Sequence, residues 1–206
     1  MSEPINHNQR KEYNLKRQIH DLSVDVTTKL LKKEGFINRV KYEDTDLLQI
    51  IDNPHAILLI DLDKFKEVND KYGHPTGDVY LGLISSEIDR IAWNGNGIAF
   101  RGKEGDEIVV LLEVGDGNYR DGVREFQDNL SNALFQLDEK LETLKITKKP
   151  TVSMGTCFQD GLTDSNTQEK LEKIFLAIDN QCDKALYASK NNVQIGRVRN
   201  TFSEYM

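Results

Sequence analysis

Cysteine, proline and tryptophan are scarce: the 206 residues hold two Cys, four Pro and one Trp. Two cysteines build no disulfide framework, and Cys157 and Cys182 lack metal-ligand spacing. Long hydrophobic runs are missing as well. The longest, Ala56 to Ile60, falls far short of the roughly 20 residues that cross a bilayer. The N-terminus is polar and has no signal-peptide core. Positive charge is in deficit, with 27 Lys+Arg against 34 Asp+Glu and a net charge of −7. That balance argues against a duplex-DNA or polybasic membrane binder, which need net positive fields, and no nucleic-acid polymer is expected as a partner. A single nucleotide pocket, locally basic or carrying metal, remains open. The expected setting is cytoplasmic and reducing.

What is present is the pattern of a globular α+β protein. Hydrophobic residues make up 38% and charged residues 30%, and the length suits roughly one domain with some chain left over. Leu15, Ile19, Leu22, Val26 and Leu30 recur at steps of three and four, which predicts a helix over Tyr13–Leu31. Such a helix either packs on its own domain or pairs with a second subunit. Gly35 is expected to end it, and a helical stretch follows through Leu47, Leu48, Ile50 and Ile51 to the Asn53-Pro54 breaker. Residues 56–62 then read as a buried central strand that delivers Asp61 at its C-terminal end. A helical turn over Phe65–Tyr72 ends at Gly73, and a helix over Gly77–Trp93 carries Leu81, Ile84, Ile88 and Ile91 on one face. Ile98–Phe100 and Ile108–Glu113 form a hairpin around a polar tip. A long helix over Tyr119–Lys145, a strand over Thr151–Phe158, a helix over Gln168–Lys190 and a strand over Val193–Val198 complete the order. The expected fold is an α+β sandwich with a central mixed sheet and helices packed around it. The expected organisation is an N-terminal polar segment and amphipathic helix over 1–32 and a main domain over 33–206.

Carboxylates beside a buried sheet need compensation. Asp61 and Asp63 end the most hydrophobic strand, and Asp106 and Glu107 stand where the hairpin tip re-enters its strand. If those strands are neighbours, three or four carboxylates meet at one sheet edge. Oxygen donors in that number suit Mg2+, which takes one or two protein carboxylates plus substrate phosphates. Downstream, Asn69 can donate and accept at a base edge, and Asp78 can accept the paired N–H donors of guanine.

Taken together, these blocks resemble the GGDEF family of diguanylate cyclases. Asp61 to Asp70 is similar to the family's D-x-D-x-F-K-x-x-N-D, and Gly73 to Leu81 to its G-H-x-x-G-D-x-x-L. Arg101 to Leu112 resembles the hairpin with the name motif, Thr151 to Gly155 the T-V-S-x-G strand, and Asp183 to Lys190 the D-x-A-L-Y-x-A-K helix. Gly35 to Arg39 is a weaker echo of the family's L-T-G-L-x-N-R opening. The six blocks keep the family order across about residues 33–200. The resemblance implies a palm-like, nucleotide-cyclase-like core that joins two GTP into cyclic di-GMP and two pyrophosphates across a homodimer. By the same resemblance, Asp61, the Leu62 carbonyl, Asp106 and Glu107 hold Mg2+ or Mn2+. Asp61, Asp106 and Glu107 are the catalytic carboxylates. Asn69 and Asp78 read guanine, Lys66 and Lys190 grip the triphosphate, Phe65 closes the pocket, and Gly105 lets phosphate approach.

The match has departures. The hairpin reads Arg101-Gly102-Lys103-Glu104-Gly105-Asp106-Glu107-Ile108, so Glu104 replaces the first Gly and Ile108 the Phe, with one extra residue after Arg101. The R-x-x-D product-inhibition motif is absent, its place taken by Gly95-Asn96-Gly97-Ile98, so no feedback binding is expected there. After Lys190 the family's short G-R-N turn is stretched, which removes the basis for giving Arg197 a phosphate role. Two further readings stay open: a degenerate module that binds GTP or a cyclic dinucleotide and regulates a partner, and a cyclase using another purine nucleotide. The Tyr13–Leu31 helix is the candidate for dimerisation or for docking a separate regulatory protein.

Overall fold

A computed structural model describes residues 23–42, 44–102, 105–114, 119–191 and 197–203. The elements run α1 (Lys33–Lys41), α2 (Thr45–Asp52), β1 (His55–Leu62), α3 (Phe65–Tyr72), α4 (His74–Asn94), β2 (Gly97–Arg101) and β3 (Glu107–Glu113). They continue with α5 (Tyr119–Thr143), β4 (Val152–Gln159), α6 (Thr167–Ala177), a π turn (Ile178–Cys182), α7 (Asp183–Asn191) and β5 (Val198–Phe202). The five strands form one sheet in the order β2-β3-β1-β4-β5. β1 is antiparallel to both neighbours, and only β4–β5 is parallel. The sheet is mixed, as expected.

β1 is apolar from Ala56 to Ile60 because both of its faces are covered there. Ala56, Leu58, Ile60 and Leu62 point to one side, into a core shared with Ile84 and Ile88 of α4 and Leu130 and Leu134 of α5. Ile57 and Leu59 point to the other, against Phe36 of α1, Leu47 and Ile51 of α2, and Leu171 and Ile174 of α6. Period-two alternation along one strand therefore knits two helical layers to a single sheet. Local signals agree with this packing. Asp44 caps α2 by accepting from the Leu47 N–H, and Asn166 and Glu169 form a reciprocal capping box on α6.

Four expectations need correction. The predicted Tyr13–Leu31 helix lies partly outside the described residues. Where it is described, residues 24–31 form a turn closed by a Val24–Leu31 bridge, with Leu31 bridging on to Phe100. Asp25 accepts from both the N–H and the hydroxyl of Thr28, and Lys29 takes a left-handed conformation (φ 63°). Ser23 is helical, and from residue 24 to 31 these local bonds outcompete the helix that the apolar spacing suggested. Gly35 ends nothing: it lies inside α1, where a Cβ would crowd Ser23. The Gln168–Lys190 helix is interrupted by the π turn at Ile178–Cys182. The last strand begins at Val198 rather than ending there, and residues 193–196 lie outside the described set.

Candidate active site

Strand register decides which carboxylates meet. Asp61 is directly opposite Glu107 across the β1–β3 ladder. Asp106 immediately precedes that pair, so the strand end and the hairpin bring Asp61, Asp106 and Glu107 to one corner of the sheet. The electrostatics agree. Burial pushes the Asp106 carboxyl above the ordinary value, the charge on Asp61 pushes it further, and Glu107 adds a smaller push against the relief from Lys190.

Lys190 arrives by alternation and helical phase. Asp61 shares the face of β1 that carries Ile57 and Leu59, the face on which α7 packs through Leu186. Lys190 is one turn beyond Leu186, and its Nζ stands 2.7 Å from Asp61 Oδ2. α7 can approach this closely because β4 offers Gly155. A Cβ there would overlap the Cys182 carbonyl oxygen and the Leu186 nitrogen.

Asp63 does not join the cluster. β1 ends at Leu62, and Asp63 turns aside to an ion pair with Arg199 and accepts a 2.7 Å bond from Ser153 Oγ. The strand register brings three carboxyl-bearing residues to this corner, not four. Arg197 is also committed elsewhere. It donates to the Pro150 carbonyl at 3.0 Å, pairs with Asp138, and lies 4.5 Å from the Phe135 ring centroid.

The second part of the site is the corner between α3 and α4. Phe65 opens α3 half-buried, its ring nearly parallel to Tyr80 at 6.5 Å. Asn69 lies one turn further along the same face, and Gly73 (φ 83°) reverses the chain into α4. The Asn69 amide occupies the space beside Gly77, where a Cβ would overlap its Oδ1. Asp78 follows at once, exposed just past the first turn of α4. Asp78 also lines a cleft of about 400 Å³ with Thr27, Lys29, Val79 and Leu83. The turn residues Thr27 and Lys29 escaped the sequence reading; the Asp25-x-x-Thr28 spacing of a side-chain-closed turn was their signal. Lys66 is exposed and makes no ion pair among the described residues.

The hairpin tip is held from below. Arg101 donates to the Gly105 carbonyl, and the Arg101 N–H donates to the Leu31 carbonyl at 2.8 Å. Among the described residues, a Cβ on Gly105 would meet nothing within 4 Å. Ile108 is fully buried opposite Ile60 and does the work of a core residue. Lys103 and Glu104 lie outside the described residues.

The donor chemistry suits a hard divalent cation: carboxylate oxygens, with like charge crowded at Asp106. Among the described residues, no three carboxylate, imidazole or thiolate ligands stand together as a complete cation site. Magnesium does not require one, since it keeps waters or substrate phosphates alongside one or two carboxylates.

Comparison with known proteins follows the same residues. The sequence pattern described as "Diguanylate cyclase, GGDEF domain" matches residues 22–194. The chain belongs to the GGDEF family. Over 191 residues this GGDEF protein is 28% identical to the diguanylate cyclase DgcM of Escherichia coli K12, covering 91% of this chain and 41% of DgcM. It is 34% identical over 100 residues to E. coli DosC, covering 48% of this chain and 21% of DosC. The chain thus spans less than half the length of these curated relatives. Among solved structures, it resembles the coiled coil and GGDEF domain of Caulobacter crescentus DgcB in complex with c-di-GMP. That match has a TM-score of 0.64 and 22% identity, covering 95% of this chain and 93% of that one. Pseudomonas aeruginosa SiaD, solved with its activator SiaC, gives a TM-score of 0.65 at 19% identity, covering 95% of this chain and 67% of SiaD. These likenesses establish the palm-like cyclase fold. Among the described residues, no helix is long and apolar enough to cross a membrane.

Proposed function

We propose that this GGDEF domain is a diguanylate cyclase, joining two GTP molecules into cyclic di-GMP with release of two pyrophosphates. The observation that carries the reading is the Asp61–Glu107 register pair with Asp106 beside it and Lys190 in contact. Asp61, Asp106 and Glu107, with the Leu62 carbonyl, would hold Mg2+ or Mn2+. Such an ion, when bound, supplies charge neutralisation at the phosphates. Asn69 and Asp78 read the guanine edge, and Phe65 closes the pocket beside it. Lys66 and Lys190 hold the triphosphate, and Gly105 leaves room for it. One protomer holds one GTP, so two protomers must face each other in C2 symmetry. Each 3′-hydroxyl then attacks the other nucleotide's α-phosphorus and expels pyrophosphate, and the fixed geometry of the pair supplies much of the acceleration.

The segment ahead of residue 33 is assigned to dimerisation or to docking a separate regulator, by analogy with SiaD and its activator. The cytoplasmic setting belongs to this reading because GTP is the substrate.

A second reading is a binding module without turnover. It is favoured by the Lys190–Asp61 ion pair, which occupies one carboxylate oxygen in this structure, and by Glu104 in place of the motif's first Gly. Purified protein incubated with GTP and Mg2+ separates the two. A cyclic dinucleotide and pyrophosphate, both abolished by Asp106→Ala, support the enzyme. Tight GTP binding with no product at any metal or protein concentration supports the module. Turnover of ATP in place of GTP would instead mark a cyclase of different base preference.

A further inference from the structure

The chain's two cysteines, 25 residues apart, meet in the core. Cys157 sits on β4 opposite Ile57, and Cys182 closes the π turn that leads into α7. Their sulfurs lie 2.8 Å apart, both residues are fully buried, and both are free thiols. The Cys182 thiol also reaches the Ile57 carbonyl at 3.3 Å. The sulfurs stand less than about 1 Å beyond the bonded S–S length of about 2.05 Å. Covalent closure therefore asks for little movement of either backbone.

We propose that Cys157 and Cys182 are a redox site, a thiol pair that a hydroperoxide converts to an internal disulfide between β4 and the π turn. One thiol, as thiolate, attacks the peroxide oxygen and becomes a sulfenic acid, releasing one water. The second thiol attacks the sulfenic sulfur, forms the S–S bond and releases a second water. Two thiols lose two electrons and two protons, and hydrogen peroxide becomes two waters.

Burial pushes the Cys182 thiol well above the ordinary range, and its Cys157 neighbour pushes it further. Cys182 thiolate is therefore scarce in the closed fold, and because both sulfurs are buried, oxidation proceeds slowly, through openings of the π turn. The same burial shields the disulfide from exchange with small thiols. The bond would tie α7, and with it Lys190, more firmly to the sheet.

The test uses the whole chain and hydrogen peroxide at millimolar concentration for hours, alone and in mild urea that opens the turn. The expected product is a monomer 2 Da lighter, with no free thiol after denaturation, and dithiothreitol restores both thiols once the chain is denatured. Closing a loop of this size should raise the melting midpoint by about 5–10 °C. Cys157→Ser should show neither the mass loss nor the stabilisation, and the mass result on the native chain stands even if this variant folds poorly. An unchanged mass in both conditions, additions of 16 or 32 Da without the 2 Da loss, or a disulfide between chains would each overturn the proposal. None of these readouts depends on cyclase activity.

Discussion

The side chain of Asn69 fills the place that a side chain on Gly77 would take. This contact joins α3 to α4 and fixes the amide beside Asp78, so the glycine sets the geometry of the proposed base reader. Gly77→Ala separates stability from recognition. Alanine raises helix propensity by up to about 1 kcal/mol, and Asn69 can swing aside, so the melting midpoint should hold or rise. GTP affinity should fall by roughly tenfold or more, the scale of one lost hydrogen-bonded pair. Titration calorimetry beside thermal melting measures both. Undiminished GTP binding would show that Asn69 does not read the base.

Lys190 and Asp61 offer the complementary case. The lysine is 42% exposed, and ion pairs of that kind contribute at most about 1 kcal/mol. Lys190→Met should therefore shift the midpoint by no more than about 4 °C. Cyclic di-GMP formation should nevertheless drop by at least tenfold, because the lysine is assigned to the triphosphate. A rate within twofold of the native chain would remove Lys190 from the site.

Much of this arrangement could be read in the sequence, for definite reasons. The α4 stripe of Leu81, Ile84, Ile88 and Ile91 predicted its buried face because helical phase and burial coincide over a long segment. β1 announced itself because Ala56 to Ile60, covered on both faces, form an unbroken apolar run. The turn at residues 24–31 could not be read that way. Leu22, Val26 and Leu30 have helical spacing, yet Val26 is 78% exposed and Asp25 and Thr28 close a local turn instead. Asp61 and Asp63 illustrate the same limit. Spacing of two places both on one strand face, but the strand ends between them and Arg199 draws Asp63 away. The cysteine contact and the π turn depend on how α7 seats against Gly155, which no local pattern encodes.

His55 gives the fold a predictable dependence on pH. It is fully buried at the start of β1, with Nδ1 donating to the Asn53 carbonyl at 2.9 Å and Nε2 without a partner among the described residues. Burial holds its pKa below the ordinary 6.5, against the pull of the Asn53 bond and of Asp52. The unfolded chain therefore takes up the proton before the folded chain does. The stability that neutral His55 provides is complete above about pH 6.5 and is lost as pH falls toward the folded-state value. The melting midpoint should decline between pH 7.5 and 5.5, and His55→Gln should flatten that decline. Parallel curves for the two proteins would show that another group is responsible.

Asp63 is the motif carboxylate whose role the structure makes architectural. It is 9% exposed, paired with Arg199 and bonded to Ser153, and Arg199 also donates to Ser153 Oγ at 2.8 Å, so the three groups cross-link β1, β4 and β5. Arg199→Met leaves the carboxylate buried with one hydroxyl partner, and a stranded buried charge costs roughly 3–5 kcal/mol. The midpoint should fall on the order of 10 °C. Adding Asp63→Leu removes the stranded charge, so the double variant should recover a large part of that loss even though it has no ion pair at all. Measuring both singles and the double in one thermodynamic cycle isolates the coupling. If the losses simply add, the pair is not what secures the β5 edge, and Asp63 must be reconsidered as a member of the carboxylate cluster proposed to hold the cation.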